Sequence, residues 1–295
     1  MSQMGSPAGR PTVRPTAVAG TFYPADADEL IGVVDSLLEG ARLRASEVAA
    51  GPAPVALVVP HAGYVYSGQV AASAYERVLD RPTRRVAVLG PAHYVPLTGI
   101  AVPSAVAFAT PIGEVPVEVH TCAALAQRHE CVTVDDHPHR PEHSIEVQLP
   151  FLQRVLADGW TCVPLVVGAT TPEQVADVLD TLCADGDMLP VVSTDLSHYL
   201  DQGSAQRRDR HTAQAVVDRD DAAIGPYDAC GAHALRGLLH WARRHELDVR
   251  MLRLGTSADT GGDRERVVGY GAFALLPSTG ANASGVSIDA RESAP

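Results

Sequence analysis

Two histidines stand directly after apolar runs of strand length. In VALVVPHAGYVYSG (residues 55–68) Pro60 ends the run and His61 follows, and in VAVLGPAHYVPLTG (86–99) His93 takes the matching place. A third run, LPVVSTDLSHY, ends on Asp195 and His198. A fourth segment, GPYDACGAHALRGLLHWARR, puts Cys230 near the start of a helical pattern, with Asp228 available as its cap. A helix N-terminus favours thiolate, the form of cysteine that binds metals or attacks. Neutral imidazole suits iron, copper and zinc, and a nearby carboxylate orients the ring or exchanges protons with it. Each residue also has a plainer use. A strand-end histidine serves as readily in a structural hydrogen bond, Asp195 as a turn cap, and Cys230 as a small apolar filler. Their convergence on strand and helix ends favours a metal or catalytic site.

The elements that must carry these residues follow from the apolar pattern. PVALVVP, RRVAVLGP, TCVPLVVG, MLPVVSTD, VRMLRLG and RVVGYGAFALLP have strand length. QVAASAYERVL, CAALAQRHE, TPEQVADVLDTLC and YDACGAHALRGLLHWARRHEL have helical spacing between them. A helix beginning at Asp26 or Asp28 runs to about residue 40. The segment 99–119, with PIG at its turn, reads as a hairpin, and 141–159 as an amphipathic helix. Alternation of strands and helices predicts an α/β fold, with a mostly parallel or mixed central sheet flanked by helices on both faces. Functional groups in such sheets gather beyond the carboxyl ends of the strands, where His61, His93, Asp195 and His198 are expected. No linker divides the chain. The expectation is a flexible start over 1–13, one domain over 14–277 and a polar tail over 278–295.

Other motifs carry less. His137, His139 and His143 are separated by prolines and match no HExxH spacing, so they do not share one helical face. Glu142 and Glu146, four apart on one face of the helix expected there, could reach the site, with a solvated or structural role the plainer reading. GTSADTGGDRERVVGYGAFAL lacks GxxxxGK[ST] and enters a strand, which leaves it as a loop bordering the crevice. There is no GxSxG elbow. Tyr64 and Tyr66 are rim candidates, with core packing the plainer alternative.

Composition narrows the class. Among 295 residues 46% are hydrophobic and 20% charged, which suits a globular chain. A formal charge of -12 opposes nucleic-acid binding, and RRDRH at 207–211 is too short a basic patch to reverse that. No apolar run approaches the roughly 20 residues of a membrane helix. The start lacks a signal-peptide core, and five cysteines without a CxxC pair suit a reducing cytoplasm, the expected location.

The segments RPTAVAGTFYP, PHAGYVYSG, LGPAHYVPLTG, FATPIGEVPV, EHSIEVQLPFL, STDLSHY, ACG (229–231) and VVGYGAFAL, in that order, resemble the Memo family. That family includes the bacterial proteins called AmmeMemoRadiSam system protein B. The resemblance covers about residues 14–276 and implies a fold like the class III extradiol dioxygenases. In those enzymes two histidines and a carboxylate hold Fe(II). By the same resemblance, His61, His93 and Cys230 are the metal ligands here, and Asp195 and His198 line the pocket. Iron or copper is the implied cofactor, zinc the less favoured one, and a radical-SAM system protein an implied partner.

Thiolate in place of the carboxylate softens the site toward Cu(I) or zinc while Fe(II) stays possible, and puts inherited ring cleavage in question. The leading expectation is a redox or metal-handling protein of the oxidoreductase kind. His198 would then be acid/base or substrate-positioning, and Asp195 would orient an imidazole. The alternatives are a non-catalytic module that captures a peptide or small ligand, and a zinc hydrolase.

Overall fold

The computed structural model describes residues 12–45, 52–79 and 82–278. In chain order the strands and α-helices are β1 (Val13–Arg14), α1 (Ala27–Ala45), β2 (Ala56–Val59), α2 (Tyr64–Tyr75), β3 (Arg85–Pro91), β4 (Ile100–Val102), β5 (Ala107–Thr110), β6 (Gly113–Pro116), α3 (Val119–Arg128), β7 (Val132–Val134), α4 (Leu149–Val155), β8 (Thr161–Val167), α5 (Pro172–Leu182), β9 (Met188–Ser193), β10 (His198–Leu200), α6 (Gln202–Asp218), α7 (Ala232–Arg244), β11 (Asp248–Thr256) and β12 (Val267–Leu276).

Runs such as ALVV and MLPVVS are buried along their whole length, as strands covered on both faces must be. They form a sheet in the order β10-β12-β2-β9-β3-β8-β4-β7, with β11 paired to β12. The centre, β2-β9-β3-β8, is parallel. β12 joins β2, and β4 joins β8, in antiparallel fashion. This is the expected mixed α/β sheet. One helical layer is α1, α2 and α4; the other is α5 and α7, with α6 against β11 and β12.

Local chemistry sets several boundaries. Asp26 accepts a hydrogen bond from the Glu29 amide (3.0 Å) and caps α1, which runs to Ala45 rather than stopping near residue 40. Thr171 and Gln174 form a reciprocal capping box on α5.

Three expectations change. The segment 99–119 holds more than a hairpin: β4 enters the main sheet, while β5 and β6 pair antiparallel around the PIG turn and β5 joins β1 in a separate three-stranded sheet. Val13, placed in the flexible start, belongs to β1 and pairs with Ala107; residues 1–11 and 279–295 of the two expected tails lie outside the described residues. The segment 141–159 is not one amphipathic helix. Glu142–Ile145 is irregular, Glu146–Gln148 is a 3₁₀ turn, and α4 starts only at Leu149. All residues from Glu142 to Phe151 are buried, so this stretch has no solvent face.

Candidate functional site

Because β2, β9 and β3 are adjacent and parallel, their carboxyl ends open on the same edge of the sheet. His61, Asp195 and His93 follow those ends within a few residues. They line a cleft of about 530 Å³ together with His143, His198 and Arg266. The donor atoms of His61, His93 and Cys230 all lie within 4.8 Å of one another. Cys230 Sγ is 3.4 Å from His61 Nε2.

Cys230 reaches this corner through close backbone contact. Its amide donates to Asp195 O (3.2 Å), and the Asp195 amide meets its sulfur at 3.3 Å. A Cβ on Gly231 would stand 2.8 Å from Thr194 Cβ, so the ACG turn tolerates only glycine there without a shift. The helix begins later than the sequence suggests, with Gly231 as N-cap and Ala232 as first residue of α7. Asp228 caps nothing on it and accepts from the Gly225 amide instead. Cys230 therefore gains no first-turn position, and burial with the nearby Asp195 carboxylate pushes its thiol up to about 12.

The tautomers of both histidines follow from donor counting. Ser193 Oγ donates to Ser144 O (2.7 Å) and accepts from Gln148 Nε2 (2.8 Å). Its single hydrogen is thus used, and His61 Nδ1, 2.9 Å away, must be the donor to it. Nε2 of His61 keeps its lone pair. Gln148 is itself fixed by Pro60 O and by the Tyr75 hydroxyl, so the serine has little freedom. Burial, and after it the charge of His93, lowers the His61 pKa to about 3, so the ring is neutral at ordinary pH.

His93 has a stronger partner. Glu142 accepts from the His93 amide (2.8 Å), His93 Nδ1 (2.9 Å) and the Ser144 amide (2.9 Å). Burial would raise this carboxyl, but the His93 and Ser144 hydrogen bonds outweigh it and hold the group at about 2. An ionised Glu142 makes His93 Nδ1 a donor and leaves its Nε2 as the free donor atom. A Cβ on Gly90 would stand 2.2 Å from Ser144 Oγ, so glycine in β3 is what admits this segment.

His93, Glu142 and His143 form a second geometrically possible metal group. With three N–H donors already on its oxygens, Glu142 fits the role of an orienting partner better than that of a ligand. His143 stacks on His93 (centroids 4.8 Å apart, 23°) and meets His61 edge-on. Burial and the His61 charge lower its pKa to about 4.

The remaining expected residues fall in place with altered roles. Asp195 is buried and accepts from the His61 amide (2.8 Å) through Oδ1; it fixes the His61 backbone and not an imidazole N–H. Its carboxyl is raised by burial. His198 Nδ1 donates to Leu196 O (2.8 Å), leaving Nε2 to accept a proton. Tyr66 is on the rim, whereas Tyr64 is buried and donates to Val147 O.

His143 is what sequence reasoning missed, set aside by its spacing, and Glu142 was read first as a solvated or structural helix residue. The signal was available: in EHSIEVQ, the polar positions would point to every side of a helix and leave it no apolar face, which argues against an amphipathic helix there.

The fold is thus a mixed α/β sheet whose strand ends gather imidazoles and a thiol into one group. A profile described as Memo-like protein matches residues 14–274. A MEMO1 family protein of Thermoplasma volcanium is 32% identical over 269 residues, covering 88% of this chain and 96% of that one. Its counterpart from Thermotoga neapolitana is 35% identical over 280 residues, covering 88% and 98%. The chain belongs to the Memo-like family. The crystal structure of an uncharacterised Escherichia coli K12 protein aligns over 72% of this chain and 98% of its own, with 16% identity and a TM-score of 0.45. Among the described residues no helix is long and apolar enough to cross a membrane.

Proposed function

We propose that this chain is a redox or metal-handling protein whose cleft holds one iron or copper ion on His61, His93 and Cys230. The observation that carries the reading is the pair of fixed tautomers. Each histidine has Nδ1 committed to an internal acceptor and Nε2 left bare, the arrangement of metal-ligating histidines with an outer partner. Such an ion, when bound, supplies one-electron chemistry and the positive charge that lets buried Cys230 lose its proton.

The other residues have roles that follow from their bonds. Glu142 holds His93 in position and fixes its tautomer. Asp195 fixes the His61 backbone. His198, anchored through Nδ1, takes or gives a proton at Nε2 on the cleft side.

The test is metal content after anaerobic purification, beside His61→Ala and Cys230→Ala. The expected result is stoichiometric iron or copper in the wild type and loss in both variants, with circular dichroism unchanged. Zinc alone would favour a hydrolase. A wild type that never takes up metal, with variants that keep full biological activity, would leave a binding module.

A further inference from the structure

One charged side chain of the cleft has no part in the metal reading. Arg266 lines it at the entry to β12, and its guanidinium carbon lies 4.4 Å from the Tyr199 ring centroid. Among the described residues no carboxylate is within ion-pair distance of it. Arg266 is the one arginine among those residues that lines this cleft, beside His61, His93 and His198. An unpaired guanidinium facing a ligand-sized cleft has its donors available for a ligand.

The backbone beneath it is shaped for this position. Where β10 meets β12, His198 pairs with Val268 and Leu200 with Val267, and the register breaks at Tyr199 between them. Tyr199 has φ 61°, a left-handed conformation that a non-glycine residue adopts only at a cost. The irregularity sets Tyr199 under Arg266 immediately beside His198. The loop before Arg266 is tied down as well: Gln202 N donates to Arg264 O (2.9 Å) and Gly262 N to Ser257 O (3.0 Å). Phe22, Tyr66 and Tyr270 add aromatic surface to the same cleft.

We propose that Arg266, stacked on Tyr199, recognises the carboxylate of a planar, monoanionic ligand, an aromatic carboxylate, bound in the cleft beside His61 and His93. This rests on the reading of the cleft as the functional site and names its ligand class. The planar guanidinium matches a carboxylate with two parallel hydrogen bonds, and the aromatic wall matches a flat apolar body. A phosphate dianion fits less well. There is one guanidinium to meet it, and Asp263, whose Oδ1 accepts from the Glu265 amide, lines the same cleft with opposite charge.

The test uses the full chain, with and without added Fe(II), titrated by NMR with benzoate, benzamide and phenyl phosphate. Wild type, Arg266→Gln and Arg266→Lys are compared. Benzoate should bind about ten- to hundredfold more tightly than the neutral amide, as charge-assisted pairing predicts. Arg266→Gln should erase that difference, and Arg266→Lys should recover only part of it, because an ammonium lacks the fork. Arg266 is exposed, so both variants should keep the wild-type unfolding temperature.

Equal binding of benzoate and benzamide, or a benzoate preference that survives Arg266→Gln, overturns the proposal. So does tighter, Arg266-dependent binding of phenyl phosphate. If no aromatic probe binds while metal uptake still depends on His61, the ligand class is wrong and the metal site stands. If benzoate binds through Arg266 in a chain that takes up no metal, the ligand class stands and the metal site falls.

Discussion

Glu142 and Glu146 lie four residues apart in one segment, and both are buried. Their donors separate them. Glu146 accepts from the Ala17 amide (2.7 Å), the Val18 amide (3.1 Å), the Tyr23 hydroxyl and the Arg14 guanidinium. All of these come from the N-terminal segment, which Glu146 fastens to the core. Glu142 accepts from two amides and from the His93 ring, whose other nitrogen faces the cleft. Burial and sequence position are shared, so neither distinguishes a structural carboxylate from one that serves a site. The identity of the donor does.

The strongest way to break this comparison is Glu146→Gln. It leaves the Arg14 guanidinium buried without its counter-charge, at an expected cost of about 3–5 kcal/mol in urea unfolding. The folded fraction should still take up metal with wild-type affinity. Glu142→Gln should do the reverse. Fe(II) or copper affinity should fall about 10–100-fold, with a stability loss nearer about 1–2 kcal/mol. If both variants lose stability alike and neither loses metal, the two carboxylates do the same job.

His139 extends the comparison to pH. It sits on the structural side: Arg14 Nε donates to its carbonyl (3.0 Å), and its ring bonds Ala101 O through Nε2. Burial lowers its pKa to about 4 from an ordinary 6.5. Above 6.5 neither state holds the proton and the group contributes nothing to pH dependence. As pH falls from 6.5 to about 4 the unfolded chain protonates first, and stability is lost at about 1.4 kcal/mol per pH unit. His61 and His143 add to the same slope in the same direction, so the difference between wild type and His139→Gln isolates this residue. Parallel stability curves for the two proteins would refute the assignment.

The smallest effect should come from Ser193→Ala, which removes the acceptor of His61 Nδ1–H. A neutral hydroxyl orients a ring less strongly than a carboxylate, so metal affinity should fall about tenfold, the low end of such effects. A loss exceeding that of Glu142→Gln would reverse the ranking of the two histidine supports.

Much of the cleft's lining was readable without coordinates. His61, His93, Asp195 and His198 follow apolar runs, and parallel strands deliver their carboxyl ends to one edge. The supports were not readable. Asp195 was expected to orient an imidazole, a role that Glu142 takes for His93 and Ser193 for His61. Cys230 was expected within a helix turn and lies before it, because close contact with Thr194 and Asp195 places it there and no cap does.

What the sequence by itself determined is local: the apolar runs, the prolines and glycines that end them, and the reactive residues placed at those ends. The tertiary structure alone decided which nitrogen of each imidazole faces the cleft and which carboxylate serves it. Those choices rest on bonds between residues far apart in the chain, His61 to Ser193 across 132 positions and His93 to Glu142 across 49. In the dry interior each such donor must find its acceptor within the fold, and only the closed chain specifies which one.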